Sequence, residues 1–410
     1  MTTIDRRVAW TVALVATLTM TVSYIDRATL AVLAPSVTKA LDISETAYGW
    51  ISASFSIAYL VATPLAGRWI DRAGARRGLV YSVLVWSSVA ALHALVPGFG
   101  ALLVLRIALG MAEGPSFPGS AQTVQRILPA GERARGFGVL FTGSSIGGML
   151  VPPLASWLYD IAGWRTAFLG SAAIGLAWIP LWIYVTRRPG VRERLDAPSE
   201  ITPNQPRPTI RQLVRDPMMI RALFGIFAAA GVLGFLQTWG AKYLARTFQV
   251  SQGDVGHYLW LPPLCLDLGA ILFGDLASRQ RRAAGSSPRM LHGIAALMAV
   301  ALALIPFAES PWAAMTFGGI AYAGGGAIYT LVTADLLSRM PQGSVSTAGG
   351  ILAGSQSLAL IIVNPIIGRA VDHTGNYIGV TIVLGLLVIP TSLVWSMWPM
   401  RAQNKRPTGT

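Results

Sequence analysis

Five ionisable side chains lie inside stretches of sequence that are otherwise apolar: Asp26, Arg27, Arg106, Glu113 and Asp267. An arginine in such a stretch stays charged and can hold a carboxylate through two parallel hydrogen bonds. A buried carboxyl group can take up and release a proton. The set therefore contains the residue types needed to bind an anion and to move protons. The alternative, that these side chains form neutral ion pairs which only orient helices, stays open for all five.

Composition predicts the kind of element that carries these residues. Of the 410 residues, 53% are hydrophobic and 12% are charged, whereas a soluble domain carries about 25% charged residues. A soluble protein is therefore excluded. The net charge of +14 could indicate a nucleic-acid-binding protein, but hydrophobic runs separate the basic clusters, which favours a membrane protein. The single cysteine, Cys265, excludes an intrachain disulfide framework.

The chain contains twelve stretches that are long enough to cross a membrane as helices, for which about 20 mostly apolar residues are needed. The first is too long for a signal peptide and leads directly into further spans. The sequence therefore predicts an all-α integral membrane protein of twelve transmembrane helices. The spans are predicted at 8–30, 48–70, 79–97, 99–121, 136–158, 166–186, 219–241, 254–276, 290–308, 311–333, 346–368 and 377–398.

The basic residues give these spans an orientation. With both termini in the cytoplasm, 25 arginines and lysines fall in cytoplasmic segments and 5 fall outside, while Arg27 and Arg106 lie within spans. An excess of this kind follows the positive-inside rule. We expect a multi-pass protein of the inner membrane, surrounded by the lipid bilayer, with both termini cytoplasmic.

A proline-rich, charged segment divides the spans into two groups of six. Its composition is typical of an extended linker and not of a domain. The predicted division is 1–186 for the N-terminal half, 187–217 for a cytoplasmic linker, 218–400 for the C-terminal half and 401–410 for a cytoplasmic tail.

An internal repeat supports this division. A shift of 212 residues pairs Asp160 with Asp372, and a shift of 207 pairs Arg72 with Arg279, each within a collinear series of glycine and proline matches. Two parallel repeats of six spans are the architecture of transporter halves that rock about a site at the middle of the membrane.

The loop between the second and third spans reads Gly-Arg-Trp-Ile-Asp-Arg-Ala-Gly-Ala-Arg-Arg from residue 67 to 77. Its glycines permit tight turns, and its acid and arginines can pair across a gap; a positively charged turn that only sets topology is the alternative. The loop resembles the signature of the major facilitator superfamily, and with twelve spans the resemblance covers essentially the whole chain. It implies that the loop latches the two halves at the cytoplasmic face when the carrier faces outward. This gate motif comprises Gly67, Asp71, Arg72, Gly74 and Arg76.

Spans 1 and 4 give a narrower resemblance. The segment Tyr-Ile-Asp-Arg-Ala-Thr-Leu at 24–30 is similar to the first helix of the anion:cation symporter family, which includes hexuronate and galactonate carriers. The resemblance implies transport of organic anions with protons or sodium, with Arg27 holding the anion and with Asp26 and Glu113 carrying protons. The fourth helix of that family is matched by Arg106, Gly110, Glu113, Pro115, Phe117 and Pro118.

Helical geometry adds a hypothesis about pairing. Arg106 and Glu113 share one face of span 4 at a separation of about 10 Å, too far for a direct pair unless Pro115 bends the helix. Asp26 lies about 100° round span 1 from Arg27 and can face span 4. We therefore predict an Asp26–Arg106 pair between spans 1 and 4, with Arg27 and Glu113 facing the cavity.

Polar and aromatic residues of the spans supply further substrate contacts. Tyr24 shares a face with Arg27, and amides such as Gln356 need partners in a membrane; the tyrosines could instead be packing or interface residues. Ser144 stands where galactonate-type carriers have a glutamine that contacts substrate, and the shift of 212 pairs it with Gln356. The predicted substrate-binding set is Arg27, Tyr24, Tyr59, Ser144, Trp239, Tyr329, Gln356 and Asn364.

Together these features predict a secondary active transporter that imports a small organic anion by proton symport with alternating access. The anion would be a sugar acid, such as a hexuronate or an aldonate, or another carboxylate. A proton-driven antiporter or exporter on the same fold is the alternative. Proton coupling is assigned to Asp26, Glu113, Arg106 and Asp267, although Asp267 could instead bind a substrate hydroxyl or pair with a neighbouring helix.

An enzyme is not expected, because the sequence has no Walker-type phosphate loop, no paired metal ligands and no sizeable soluble domain. No cofactor, metal site or nucleic-acid partner is expected. The proton is the expected coupling ion, with sodium the less favoured choice, and the protein is expected to be a monomer.

Overall fold

The computed structural model describes residues 4–196, 209–284, 288–340 and 345–398. Within these ranges, twelve helices are long and apolar enough to cross a membrane, which confirms the predicted spans and the all-α fold class. Numbered α1 to α12 in chain order, they are Arg6–Ala40, Glu45–Ala73, Ala75–Leu95, Phe99–Ile127, Arg135–Ala162, Trp164–Thr186, Pro217–Phe248, Gly256–Gln280, Arg289–Phe307, Pro311–Arg339, Ala348–Thr374 and Ile378–Met397.

The even number of spans places the start of α1 and the end of α12 on the same side, called here the terminal face; the opposite side is the distal face. Buried apolar side chains of the described residues form two clusters. One cluster of buried side chains, including Leu79, Trp86 and Trp182, lies within the first half. A second cluster contains residues of both halves, among them Leu33 and Trp239, and packs the two halves against each other.

Helix α1 is longer than its predicted span because Pro35 does not end it. The helix continues to Ala40 with the proline inside. The additional turns bring Ser36 and Thr38 within hydrogen-bond distance of Gln252 and Lys242 of the second half. The extension of α1 therefore joins the two halves.

Helix α4 is broken in the middle, at the proline that the sequence analysis allowed to bend it. Its first segment ends at Glu113 and its second begins at Ser116, with Gly114 and Pro115 between them. One turn earlier, Gly110 lies so close to α2 that a Cβ atom there would be 2.5 Å from the carbonyl oxygen of Phe55. The missing side chain lets α2 and α4 approach closely beside Glu113.

The linker is not extended throughout, in contrast to the prediction from its prolines. Its first part forms the helix Pro189–Asp196, called here the linker helix, which buries Val191 and Leu195 against the first half. The apolar pair explains the difference, since two buried side chains four residues apart favour an amphipathic helix. The boundaries of the predicted domains stay predictions.

Candidate functional site

An ion pair between Arg27 and Glu113 lies in the middle of the first half. Arg27 Nη2 is 3.0 Å and Nε is 3.2 Å from Glu113 Oε2, and the hydroxyl of Ser23 donates to the same oxygen at 2.8 Å. The Glu113 side chain is fully buried, whereas the Arg27 side chain is 20% exposed. Of the two side chains, Arg27 is therefore the more accessible and Glu113 is the one shielded from solvent.

Aromatic rings fix the position of the Arg27 guanidinium. Its central carbon lies 4.9 Å from the ring centroids of Tyr24 and Phe55 and 4.6 Å from that of Tyr59. Each ring face attracts the cation and limits its movement. Tyr24 and Tyr59, two of the predicted substrate contacts, therefore lie beside the Arg27 guanidinium and limit its movement.

The predicted pair between Asp26 and Arg106 is wrong. The Asp26 carboxyl group is buried and neither of its oxygens has a hydrogen-bond partner among the described residues. It faces the indole of Trp86 and the hydroxyl of Ser171, on α3 and α6. Arg106 Nη1 instead donates to the main-chain oxygen of Arg27 at 3.2 Å.

A line of polar side chains continues from Arg27 across α5 to the second half. The phenol of Tyr24 lies beside Ser144 of α5 and within electrostatic reach of Tyr329 of α10. The next residue of α5, Ser145, donates a hydrogen bond of 2.6 Å to Asp267 Oδ1 on α8. The structure thus brings three predicted substrate contacts and Asp267 into one neighbourhood.

Two other predicted contacts, Trp239 and Asn364, are paired with each other. The indole nitrogen donates to Asn364 Oδ1 at 3.0 Å, and both side chains are buried. Tyr48 packs edge-on against Trp239 with ring centroids 5.0 Å apart. These residues close the distal end of the site, while the half-buried Gln356 makes no hydrogen bond to the described residues.

Charged groups close the distal face across the two halves. Lys242 of α7 is 2.9 Å from Glu45 Oε2 and donates to the Thr38 hydroxyl at 2.8 Å. Arg246 reaches the other oxygen of Glu45 at 3.4 Å. The Lys242 side chain is 7% exposed, so this pair is shielded from water.

A helix terminus adds to the distal closure. Asp372, at the end of α11, accepts hydrogen bonds from the main-chain nitrogens of Glu45 at 3.1 Å and Thr46 at 2.8 Å. A carboxylate at the start of α2 is favoured by the unpaired N–H groups and the helix dipole. Its partner in the internal repeat, Asp160, lies close to Gly253, near the start of α8.

The gate motif lies at the terminal face, where it contacts the first half and the linker helix. The carboxylate of Asp71 accepts a hydrogen bond of 2.9 Å from Gln122. Arg76 Nη2 is 2.7 Å from Asp196 Oδ2 of the linker helix, and Arg72 is exposed. Hydrogen bonds and ion pairs between described residues of the two halves lie from the middle of the membrane to the distal face.

Gly74 of the gate motif has a conformation that requires glycine. Its φ of +77° disfavours other residues, and a Cβ atom would be 2.7 Å from the Leu195 carbonyl oxygen. We expect Gly74→Ala to lower the unfolding free energy by about 1–3 kcal/mol, measured by thermal unfolding in detergent. Gly67→Ala is the matched control, since no atom lies within 4 Å of a Cβ there. Equal midpoints for the two variants would contradict the expectation.

The fold and the charges at mid-membrane define a secondary transporter of two similar six-helix halves. The chain belongs to the Major Facilitator Superfamily, whose family description matches residues 16–363. It is a multi-pass membrane transporter and not an enzyme.

Relatives that are named as sugar-acid transporters match most of the chain. The chain is 28% identical to the hexuronate transporter of Escherichia coli K12, over 94% of each protein. It is 29% identical to the galacturonate transporter of Dickeya chrysanthemi, over 65% of this chain and 80% of that protein. A bacterial homologue of the human lysosomal transporter Spinster, in an inward-facing unoccupied conformation, has a TM-score of 0.81 at 17% identity, over 96% of this chain and 97% of that chain.

The prediction from the sequence did not include some residues of the site. Ser23 lies one turn before Arg27 on the same face of α1, so its contact with Glu113 could have been found from that spacing. Phe55 and Ser145 gave no signal, because an aromatic ring or a serine in a membrane helix is common. The closure by Glu45 and Lys242 joins residues 197 positions apart, which no local pattern reveals.

Proposed function

We propose that this protein imports a sugar-acid anion, of the hexuronate type, together with protons. The observation that carries the proposal is the Arg27–Glu113 ion pair, which sets an anion-binding group against a buried acid. The guanidinium presents parallel donors that fit a carboxylate. The relatives named for hexuronate and galacturonate transport support a sugar acid as the ligand.

The orientation follows the positive-inside rule, so the terminal face is cytoplasmic. With the distal face closed by Glu45, Lys242 and Asp372, the structure then corresponds to an inward-facing carrier. Import requires the opposite state as well, in which the distal closure is broken and the gate motif joins the two halves. Both termini are then cytoplasmic, and the membrane is the inner membrane of a bacterial cell.

Coupling follows from competition for Arg27. Glu113 Oε2 occupies the Nε and Nη2 donors that a substrate carboxylate would use. When Glu113 takes up a proton, the ion pair is lost and the guanidinium becomes available to the substrate. When the substrate leaves, Glu113 releases its proton and pairs with Arg27 again. One proton therefore accompanies each anion through this residue.

Asp26 supplies a second proton-binding group. It is buried and makes no ion pair with the described residues, which suits a carboxyl group that alternates between neutral and charged forms. A monoanion carried with one proton moves no net charge. With two protons one positive charge crosses, and uptake then gains about 2.3 kcal/mol per 100 mV of membrane potential.

Replacing Arg27 tests the anion site. Arg27→Lys keeps the charge and loses the fork of donors, so we expect the affinity for D-galacturonate to fall about tenfold or more. Ligand-induced thermal shift of the purified protein measures this, since a ligand stabilises by mass action. Arg279→Lys, an exposed arginine of α8, is the control. Stabilisation of the native protein by neutral hexoses but not by D-galacturonate would refute the proposed function.

A further inference from the structure

Asp267 is an acid at mid-membrane that the coupling scheme does not use. It belongs to α8 of the second half, is half-buried, and accepts the hydrogen bond of Ser145 from the first half. Among the described residues it has no ion pair. An ionised carboxylate that accepts one hydrogen bond from a hydroxyl group can still accept several more.

The acid is linked to the surroundings of Arg27 through α5. Helices α1 and α5 are in close contact, since a Cβ atom on Gly147 would be 2.7 Å from Tyr24 Cβ. At this contact Ser144 lies beside the Tyr24 phenol, and Ser145 donates a hydrogen bond to Asp267. Two adjacent serines thus connect the surroundings of the guanidinium with the carboxylate of α8.

The fold itself does not require an acid at this position. The shift of 207 residues that relates α2 to α8 pairs Asp267 with Leu60. Leu60 lies at the equivalent contact between α2 and α11, where its Cδ1 would be 3.2 Å from a Cβ on Gly354. An apolar side chain therefore closes one of the two similar contacts between the halves, and the acid closes the other.

We infer that Asp267 is a specificity-determining residue that accepts hydrogen bonds from the hydroxyl groups of a sugar acid whose carboxylate is held by Arg27. The inference rests on the proposed function. Neighbouring hydroxyls of a polyhydroxylated chain match the two oxygens of a carboxylate, which only accept hydrogen bonds when ionised. A substrate hydroxyl takes the place of Ser145 as the donor to Oδ1. Asp267 thus distinguishes a sugar acid from a plain carboxylate of the same charge.

Equilibrium binding at fixed pH tests this with two ligands, D-galacturonate and hexanoate, which share a carboxylate and a six-carbon chain. We expect Asp267→Asn to weaken D-galacturonate binding about tenfold and to leave hexanoate binding unchanged. Ser145→Ala should bind D-galacturonate at least as well as the native protein, because it leaves the carboxylate free. Asp275→Asn, which removes an exposed acid of the same helix, is the matched control.

A series of monodeoxy galacturonates provides a measurement that does not depend on the variant alone. Removal of the hydroxyl that contacts Asp267 should cost the native protein about tenfold in affinity and should cost Asp267→Asn little. If no deoxy analogue binds the native protein more weakly than D-galacturonate, the inference is refuted even where Asp267→Asn does not fold. Equal losses in both proteins for every analogue would also overturn it.

Two further results separate the inference from the proposed function. If Asp267→Asn binds both ligands normally but no longer accumulates D-galacturonate in a proton gradient, the residue is a proton site and the specificity role is wrong. If the native protein binds no sugar acid, the proposed function fails and the inference fails with it. If the native protein binds D-galacturonate and Asp267→Asn keeps the same preference for D-galacturonate over hexanoate, the inference is overturned and the proposed function is not.

Discussion

Glu113→Gln is expected to exchange substrate across the membrane without accumulating it. The amide cannot release a proton and cannot form an ion pair with Arg27, so the guanidinium stays available to a substrate carboxylate at every pH. In proteoliposomes loaded with unlabelled D-galacturonate, the variant should exchange labelled D-galacturonate at a rate close to that of the native protein. With an inward proton gradient and empty vesicles, uptake against a concentration gradient should be lost.

The pH dependence of binding gives the same test in another form. In the native protein, protonation of Glu113 removes the competitor for Arg27, so the affinity for a substrate anion should rise as pH falls over the range in which Glu113 takes up its proton. In Glu113→Gln this part of the dependence should disappear, and the affinity at high pH should match that of the native protein at low pH. Glu309→Gln, an exposed acid, is the control. Loss of exchange and accumulation to the same extent would show that Glu113 has a structural role instead.

Much of the fold could be predicted because the membrane imposes simple rules. Span length, the distribution of arginines and the internal repeat all follow from the cost of placing polar groups in lipid. The intramembrane charges were found by the same reasoning, and Arg27 and Glu113 do lie at the centre of the first half. The break in α4 was also predictable, since proline removes a main-chain donor.

The partners of these charges could not be predicted from the sequence. The spacing of Asp26 and Arg27 fixes the angle between them but not the direction in which either points. A surface helix shows its buried face through an apolar stripe, whereas α1 is buried on most sides and has no such stripe. The angle of about 100° between Asp26 and Arg27 round α1 was therefore compatible with Asp26 facing α4. In the structure the Asp26 carboxyl group faces Trp86 and Ser171 instead.

Breaking the distal closure is expected to move the carrier toward the state that is open at the distal face. The ion pair of Lys242 and Glu45 is shielded from water, and Glu45 retains only the more exposed Arg246 when Lys242 is removed. Loss of one partner of a buried pair destabilises the closed arrangement, whereas in the open state water can solvate Glu45. A change of about 1.4 kcal/mol shifts the ratio of the two states tenfold, so Lys242→Gln should shift it at least that far.

A pair of cysteines at Ser36 and Gln252 reports this equilibrium, because these side chains are hydrogen-bonded across the two halves at 3.0 Å. In a background of Cys265→Ala, Lys242→Gln should slow oxidative cross-linking of the pair about tenfold, and Lys39→Gln, an exposed lysine of α1, should not. The double variant Glu45→Gln with Lys242→Gln should recover most of the cross-linking rate, since it leaves no unpaired charge in the closed interface. This recovery distinguishes a latch from general destabilisation, because a second damaging substitution would slow cross-linking further. If the double variant cross-links more slowly than Lys242→Gln, the ion pair does not control the distal closure.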